Sequence, residues 1–534
     1  MQEDYLWWRD GVIYQIYPRS FADSNGDGFG DLNGITEKLD YIQSLGVDAI
    51  WLSPIYPTPD ADFGYDVSNY VDIDPRFGTL ADFDRFLEAA HQRGLRIVLD
   101  LVLNHTSEEH AWFQESKKDK TNPKRDWYLW RDPAPKGGQP NNWASVFGGP
   151  GWEFDRTTGQ YYFHMFYKEQ PDVNWHNPEV RQAMLDVFRF WLERGVDGFR
   201  LDVFNCYFKD EHFRNNPTKP GIRKFDRLEH IHDIDQPDLL PLLEEIRSIL
   251  EEYPERYAIG ETFEASAEKA ARYSTGKRLH AAFNFDFIKL PWKPGLFLKG
   301  IQRWENALYP ETWPTYVLNN HDVKRIATRI GKGEDDERLK VAAAFLLTQR
   351  GTPYLYYGEE IGMRDIPVRK RSEIKDPIGK RYFPFMVGRD GCRSPMQWDN
   401  SIQAGFTNGE PWLPVHKNSP QRNVEAQEKD PQSLLHFYHD LLKLRRETPA
   451  LRRGMTVMLT HDSRAILGYL RQTADQTVLV ALNFRKRHIP LVLGTELRNA
   501  NWKVLLSSKG PREADIQDGL LPLAPNEVCI LIRE

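Results

Sequence analysis

Three cysteines in 534 residues, Cys206, Cys392 and Cys529, are too few and too far apart for a disulfide framework. Their number is odd, which favours a reducing compartment. No run of about 18 apolar residues occurs, so no membrane-spanning helix is expected. The first ten residues are charged and lack the apolar core of a secretory signal. Neither sign of charge dominates: 70 Lys and Arg stand against 77 Asp and Glu, giving −7. That balance gives no sign of a nucleic-acid or anionic-membrane surface. There is no internal repeat, no low-complexity tract, no G-x-S-x-G elbow and no Walker loop. These absences predict a soluble cytoplasmic protein with no nucleic-acid or membrane partner, a monomer or a weak homo-oligomer, and no organic cofactor.

What is present is a rhythm. Short apolar segments at 12–17, 49–54, 96–103, 198–203, 257–261, 281–287, 315–322 and 352–358 read as strands. Amphipathic stretches at 37–45, from 177, 238–252 and 337–349 read as helices between them. The segment 96–103 is nearly all apolar, as expected of a strand buried on both faces. Asn177-Pro178 opens a helix with a cap, a proline in the first turn and one stripe of Val180, Met184, Val187 and Trp191. Eight strands in a βα rhythm predict an α/β fold, a (β/α)8 TIM barrel. An open doubly wound sheet is the competitor, but no G-x-G-x-x-G follows the first strand.

Two interruptions are predicted as insertions. Residues 105–174, rich in Trp, Pro, Gly and Asn, form an inserted subdomain after strand 3. Residues 362–430 form a second insertion after strand 8. The barrel then comprises residues 1–104 and 175–452, with a closing helix at 433–446. Beyond 453 the texture changes to six short apolar runs, predicting an antiparallel β-sandwich domain over 453–534.

Polar residues gather where these strands end, the face on which barrel enzymes build their sites. Strand 3 carries Asp100 and then Asn104-His105; strand 4 ends in Asp202, strand 5 in Glu261, and strand 7 in Asn320-His321-Asp322. Residues two apart on a strand share a face, which places Arg200 beside Asp202. A guanidinium there is expected to hold Asp202 ionised, with a lowered pKa, as a nucleophile requires. Glu261, at the end of a buried strand, suits the complementary role of proton donor. Two carboxylates about 5 Å apart are the tools of retaining glycoside hydrolysis.

The loop Asp23-Ser24-Asn25-Gly26-Asp27-Gly28-Phe29-Gly30-Asp31 alternates oxygen ligands as the front of an EF-hand does. Gly34 stands where the bidentate glutamate belongs, which argues against an EF-hand. Three aspartates also argue against phosphate. His230-Ile231-His232-Asp233 has no third zinc ligand at suitable spacing.

Four of these segments, Asp100-Leu101-Val102-Leu103-Asn104-His105, Gly198-Phe199-Arg200-Leu201-Asp202, Gly260-Glu261-Thr262 and Asn320-His321-Asp322, resemble the signature regions of the α-amylase family, glycoside hydrolase family 13. They come in the family's order. Gln170-Pro171-Asp172-Val173-Asn174-Trp175 and Val12-Ile13-Tyr14-Gln15-Ile16-Tyr17-Pro18-Arg19-Ser20-Phe21 are similar to markers of its oligo-1,6-glucosidase and α-glucosidase branch. The resemblance implies an exo-acting retaining α-glucosidase on small oligosaccharides. In it Asp202 would be nucleophile, Glu261 acid/base and Asp322 the partner of the 2- and 3-hydroxyls. It implies that His105 and His321 bind hydroxyls, that Arg200 orients the nucleophile, and that Phe147 and Phe166 line the walls. Asp62 and Arg393 would grip the non-reducing end, with Tyr65 stacked on the sugar. A structural Ca2+ would sit on Asp23, Asn25, Asp27, Asp31 and the Phe29 carbonyl. Val203, directly after the nucleophile, points to α-1,6 linkages, while Phe204-Asn205-Cys206 departs from the Ile-Asn of that branch. The alternatives are an α-1,4-preferring maltase or sucrose hydrolase, a transglycosylating sucrose or trehalose isomerase, and a non-enzymatic partner of a transporter. The last predicts a membrane helix and lost carboxylates, and this sequence has neither.

Overall fold

The structure is a computed structural model describing residues 5–263, 266–309, 312–331, 335–460 and 464–534. Eight parallel strands close into a barrel: β1 (Ile13–Ile16), β2 (Ala49–Leu52), β3 (Arg96–Leu101), β4 (Gly198–Leu201), β5 (Tyr257–Gly260), β6 (Ala281–Asn284), β7 (Thr315–Val317) and β8 (Thr352–Tyr356). Each pairs with its neighbours in sequence order, and β8 returns to β1. Nearly every strand residue is buried, so the strands read as continuous apolar runs rather than as alternation.

Helices cover the barrel wall where the pattern placed them, with tighter ends. Pro178–Glu193 is capped by Asn177, whose side chain accepts from Glu179 N, and it buries Val180, Met184, Val187 and Trp191. The expected helix at 37–45 is instead two short helices, Leu32–Glu37 and Leu39–Leu45, meeting at Lys38, whose φ of −100° and ψ of 5° leave the helical region. Strand β7 stops at Val317 rather than running to 322. Beyond it the chain is drawn away from the ladder: Asn319 Nδ2 donates to Glu359, and Asn320 Oδ1 accepts from Asp322 N at 2.9 Å.

Between β3 and the helix that precedes β4, three short strands, Trp130–Arg131, Trp152–Asp155 and Gln160–Phe163, form an antiparallel sheet. Its apolar side packs on Trp143, Val146, Phe166 and Val203. After the barrel, five antiparallel strands form one sheet, in the order Met455–Met458, Ile466–Gln472, Thr477–Asn483, Val528–Arg533, Trp502–Ser507. The pair Ile489–Val492 and Leu520–Leu523 lies against it through Leu479, Leu491, Leu521 and Leu531. Leu520–Leu523, with Pro522 inside it, is a strand outside the six expected runs. In a two-stranded edge pair a proline is tolerated.

Candidate active site

Register brings the site together. Asp100 on β3 lies beside Arg200 on β4, and Arg200 beside Ile259 on β5. One residue past the ends of β4 and β5, Asp202 N and Glu261 N continue the ladder to Leu101 O and Leu201 O, each at 2.9 Å. The two carboxylates therefore leave adjacent strand ends on the same side. A Cβ at Gly260 would meet the Phe204 ring at 2.2 Å, so glycine is what lets that ring pack beneath Glu261.

A single guanidinium holds the floor. Arg200 Nη1 donates to Asp100 Oδ1 at 2.6 Å and to Asp202 Oδ1 at 2.7 Å, and Nη2 donates to Glu261. Asp100 accepts further from Tyr65 Oη at 3.1 Å and Trp51 Nε1 at 3.3 Å. Three carboxylates share one cation in a desolvated place. The expectation that Arg200 lowers the pKa of Asp202 is corrected here. Burial pushes Asp202 well above the usual carboxylate range, and the charges of Glu261 and Asp100 add to that, outweighing Arg200. Asp100 is pushed up to about 6, again by burial first. Asp202 and Glu261 meet on the same guanidinium, one on each of its terminal nitrogens.

Asp322 behaves oppositely. Burial acts to raise it, but His321 and the guanidiniums of Arg389, Arg393 and Arg200 hold it well below the usual range. His321 is pulled down to about 3 by burial and is neutral near pH 7. Its Nδ1 meets Gln15 Nε2 at 2.7 Å and its Nε2 meets Tyr65 Oη at 2.8 Å. With the Gln15 amide as donor, the ring proton lies on Nε2 and Tyr65 passes its own to Asp100. His105, pulled down to about 4 by burial, faces the Tyr65 carbonyl through Nε2 at 2.9 Å.

One expectation fails in detail. The arginine on Asp62 is Arg389, whose Nη2 donates to Asp62 Oδ1 at 2.6 Å; Arg393 instead donates from Nη2 to Asp322 Oδ1 at 2.9 Å and from Nε to the His321 carbonyl at 2.8 Å. Arg393, four residues further on, is turned toward the β7 loop. Asp376 fixes Arg389 from behind, accepting from its Nε at 2.9 Å. Tyr65 has its ring within 3° of parallel with His321, at 5.4 Å between centroids, and its hydroxyl is spent on His321 and Asp100.

Asp62, Tyr65, His105, Phe147, Phe166, Asp202, Val203, Glu261 and Asp322 all line one cavity of about 680 Å³. Arg200, His321 and Arg393 are buried beneath its floor. Val203 is held at φ 34°, ψ 38°, a left-handed conformation that a β-branched residue rarely adopts. Sequence reading missed Gln170, which donates from Nε2 to the Tyr65 carbonyl at 2.9 Å, and Asp376 and Phe263. Gln170 lay within a noted marker; Asp376-Pro377 reads only as a helix start, and it is one, with Asp376 capping Ile378 N.

The loop 23–31 lies apart from this cavity. Its side chains face its own backbone: Asp23 Oδ1 accepts from Asn25 N and Gly26 N, Asn25 Oδ1 from Asp27 N, Asp27 Oδ1 from Phe29 N, and Asp31 Oδ1 from Gly34 N at the start of Leu32–Glu37. Among the described residues no group of three His, Cys, Asp or Glu side chains converges as a metal site. His230 rests on Phe225 at 3.8 Å and bonds Asp233 at 3.1 Å, a packed pair rather than a zinc ligand.

The family described as "Alpha amylase, catalytic domain" matches residues 15–454. The chain belongs to the alpha-amylase family. It is a glycoside hydrolase. It is 43% identical over 502 residues to a probable alpha-glucosidase of Rhizobium meliloti, covering 90% of each chain. It is 40% identical over 546 residues to an oligo-1,6-glucosidase of Parageobacillus thermoglucosidasius, covering 96% of each. A solved alpha-glucosyl transfer enzyme superposes with a TM-score of 0.95 at 43% identity, over 99% of this chain and 100% of that one. Among the described residues no helix is long and apolar enough to cross a membrane.

Proposed function

We propose that the protein is a retaining, exo-acting α-glucosidase that releases glucose from the non-reducing end of short α-glucosides. The observation that carries this reading is the Asp202–Glu261 pair, both carboxylates held on the one Arg200 guanidinium at the cavity floor. Inverting enzymes need about 6.5–9.5 Å between their carboxyls to seat a water, and two carboxylates bonded to one guanidinium favour the shorter, retaining separation of about 5 Å. Glu261 is the group that faces the glycosidic oxygen as proton donor, and the positive charge developing at C1 favours ionised Asp202. Asp202 then attacks C1, the C1–oxygen bond breaks, and Glu261 protonates the leaving oxygen. Glu261, now a carboxylate, takes a proton from water, whose oxygen displaces Asp202 from C1. Ionised Asp322, kept charged by Arg389 and Arg393, accepts from the 2- and 3-hydroxyls of the sugar, and Asp62 with Arg389 binds its far end.

Val203 favours α-1,6 linkages, so isomaltose is the expected disaccharide. The test is an NMR time course on isomaltose and maltose: α-glucose must appear first, and initial β-glucose refutes retention. A tenfold or greater preference for maltose refutes the α-1,6 assignment. Transfer to a second sugar is the alternative outcome of the same intermediate, and the similarity to an alpha-glucosyl transfer enzyme favours measuring it. Loop 23–31 is proposed to take a structural Ca2+ through the Asp23, Asn25, Asp27 and Asp31 side chains and the Phe29 carbonyl. Chelation is then expected to lower Tm without acting on the Asp202–Glu261 pair; an unchanged Tm refutes it. The protein is proposed to act in the cytoplasm as a monomer or weak homo-oligomer, which sizing chromatography checks.

A further inference from the structure

Glu261 is tied on both sides to the loop that carries Asp202. That loop continues Asp202-Val203-Phe204-Asn205, and its last two residues reach across to the end of β5. The Phe204 ring fills the space where a Cβ on Gly260 would stand. The Asn205 carboxamide takes both backbone groups of Phe263: its Oδ1 accepts from Phe263 N at 2.8 Å, and its Nδ2 donates to the Phe263 carbonyl at 2.8 Å. The contacts fall one residue before Glu261 and two residues after it. Glu261 N still makes a ladder bond to Leu201 O, whereas Phe263 is held by a side chain instead.

The orientation of the Asn205 amide follows from the backbone. Phe263 N can only donate, so the atom facing it is Oδ1, and both Nδ2 hydrogens are left for acceptors. The second acceptor is Asp235 Oδ1, at 2.9 Å. Asp235 is fixed in turn. Its N donates to the Asn205 carbonyl at 2.8 Å, its Oδ2 accepts from Lys269 Nζ at 2.6 Å, and Tyr273 Oη donates to Oδ1. The Tyr273 ring also stands edge-on to Phe204, with 4.9 Å between centroids. Asn205 is buried, and a buried amide with every hydrogen bonded is costly to remove because its partners are left unpaired. Asn205 and Asp235 do not line the catalytic cavity, whereas Glu261 and Phe263 do.

We propose that Asn205, with Asp235 behind it, is a positioning residue for the acid/base Glu261. The amide sets the β5 end against the nucleophile's loop, and so holds the Glu261 carboxyl where it can pass a proton to the leaving oxygen. Without the amide, Phe263 N and its carbonyl lose their partner and the Glu261 end of the pair loosens. Asp202 keeps its own ladder bond to Leu101 O and its bond to Arg200. The defect is therefore one of proton transfer rather than of nucleophilic attack. This inference rests on the α-glucosidase reading.

The test compares the faster-cleaved of isomaltose and maltose, whose leaving sugar needs a proton, with α-glucosyl fluoride, whose leaving group does not. For both, kcat/KM reports the steps through formation of the glucosyl–Asp202 ester. A positioned general acid contributes about 100-fold or more, so in Asn205→Ala the disaccharide-to-fluoride ratio of kcat/KM is expected to fall at least tenfold. Being a ratio within one variant, it is insensitive to any unfolded fraction. A smaller fall, including an equal loss on both substrates as a merely structural role would give, overturns this inference alone. Asp235→Ala should lower the same ratio at least threefold in the parent but less than twofold in Asn205→Ala, because it acts through the amide. A smaller fall in the parent, or a twofold or greater fall in Asn205→Ala, removes Asp235 from the arrangement. No turnover of any α-glucoside by the parent overturns the α-glucosidase reading and this inference together.

Discussion

Arg389 and Asp62 meet at 2.6 Å across the sugar end of the cavity, one from the segment after β8 and the other from the loop after β2. Arg389 also holds Asp376, while Arg393 serves Asp322. Asp62 and Arg389 should therefore act as one unit. Asp62→Ala and Arg389→Ala are each expected to cut kcat/KM by at least tenfold, and the double variant by far less than the product. The coupling in a double-mutant cycle should be about 1–3 kcal/mol. Additive losses, or strong coupling of Asp62 to Arg393 instead, would show that the pairing differs in the working enzyme.

The raised Asp202 carboxyl makes a prediction about pH. Burial and the Glu261 charge raise Asp202, and Asp202 must be ionised to attack. The acid limb of kcat/KM should thus lie above the ordinary carboxylate range. Glu261→Gln removes a neighbouring negative charge, which eases the ionisation of Asp202 and moves that limb to lower pH. The measurement needs a substrate whose leaving group requires no proton, such as α-glucosyl fluoride. On ordinary disaccharides Glu261→Gln and Asp202→Asn should each lose orders of magnitude while melting near the parent. A limb that moves upward in Glu261→Gln would reverse the assigned roles.

What the sequence made legible was what is local or periodic. Eight apolar runs dictated eight strands, and because strand ends in a barrel converge, Asp202, Glu261 and Asp322 could be placed together from spacing alone. The side-chain pairings were less legible. Arg389 and Arg393 sit four apart in one segment, and only the fold decides which reaches Asp62. The sign of the Asp202 shift was misread because one neighbour, Arg200, is visible two residues away. The opposing influences are burial and carboxylates 61 and 100 positions distant from Arg200.

Val203 carries two constraints at once. It lines the cavity beside Asp202 and sits at φ 34°, where a β-branched side chain is strained. Val203→Thr keeps the shape and strain but adds a hydroxyl facing the leaving group. It should move the isomaltose-to-maltose ratio of kcat/KM toward maltose by about threefold or more, with Tm within a few degrees. An unchanged ratio would remove Val203 as the source of linkage preference.

Asp66 supports the loop that carries Asp62, accepting from Ala61 N at 2.8 Å and Asp62 N at 2.9 Å. Burial raises its carboxyl to about 7, against about 3.9 in an unfolded chain. Between those values the folded state binds more protons than the unfolded state, so this group's contribution to stability falls as pH rises from about 4 to about 7. Above that range the buried charge costs a constant amount, on the order of a few kcal/mol. Asn at this position cannot ionise and has no such slope. The Tm of Asp66→Asn minus that of the parent should therefore increase from pH 4.5 to 7.5, measured by calorimetry in matched buffers. Were the difference to shrink over that interval, the carboxylate would be stabilised by its two backbone donors more than burial destabilises it, and the loop under Asp62 would be held by charge.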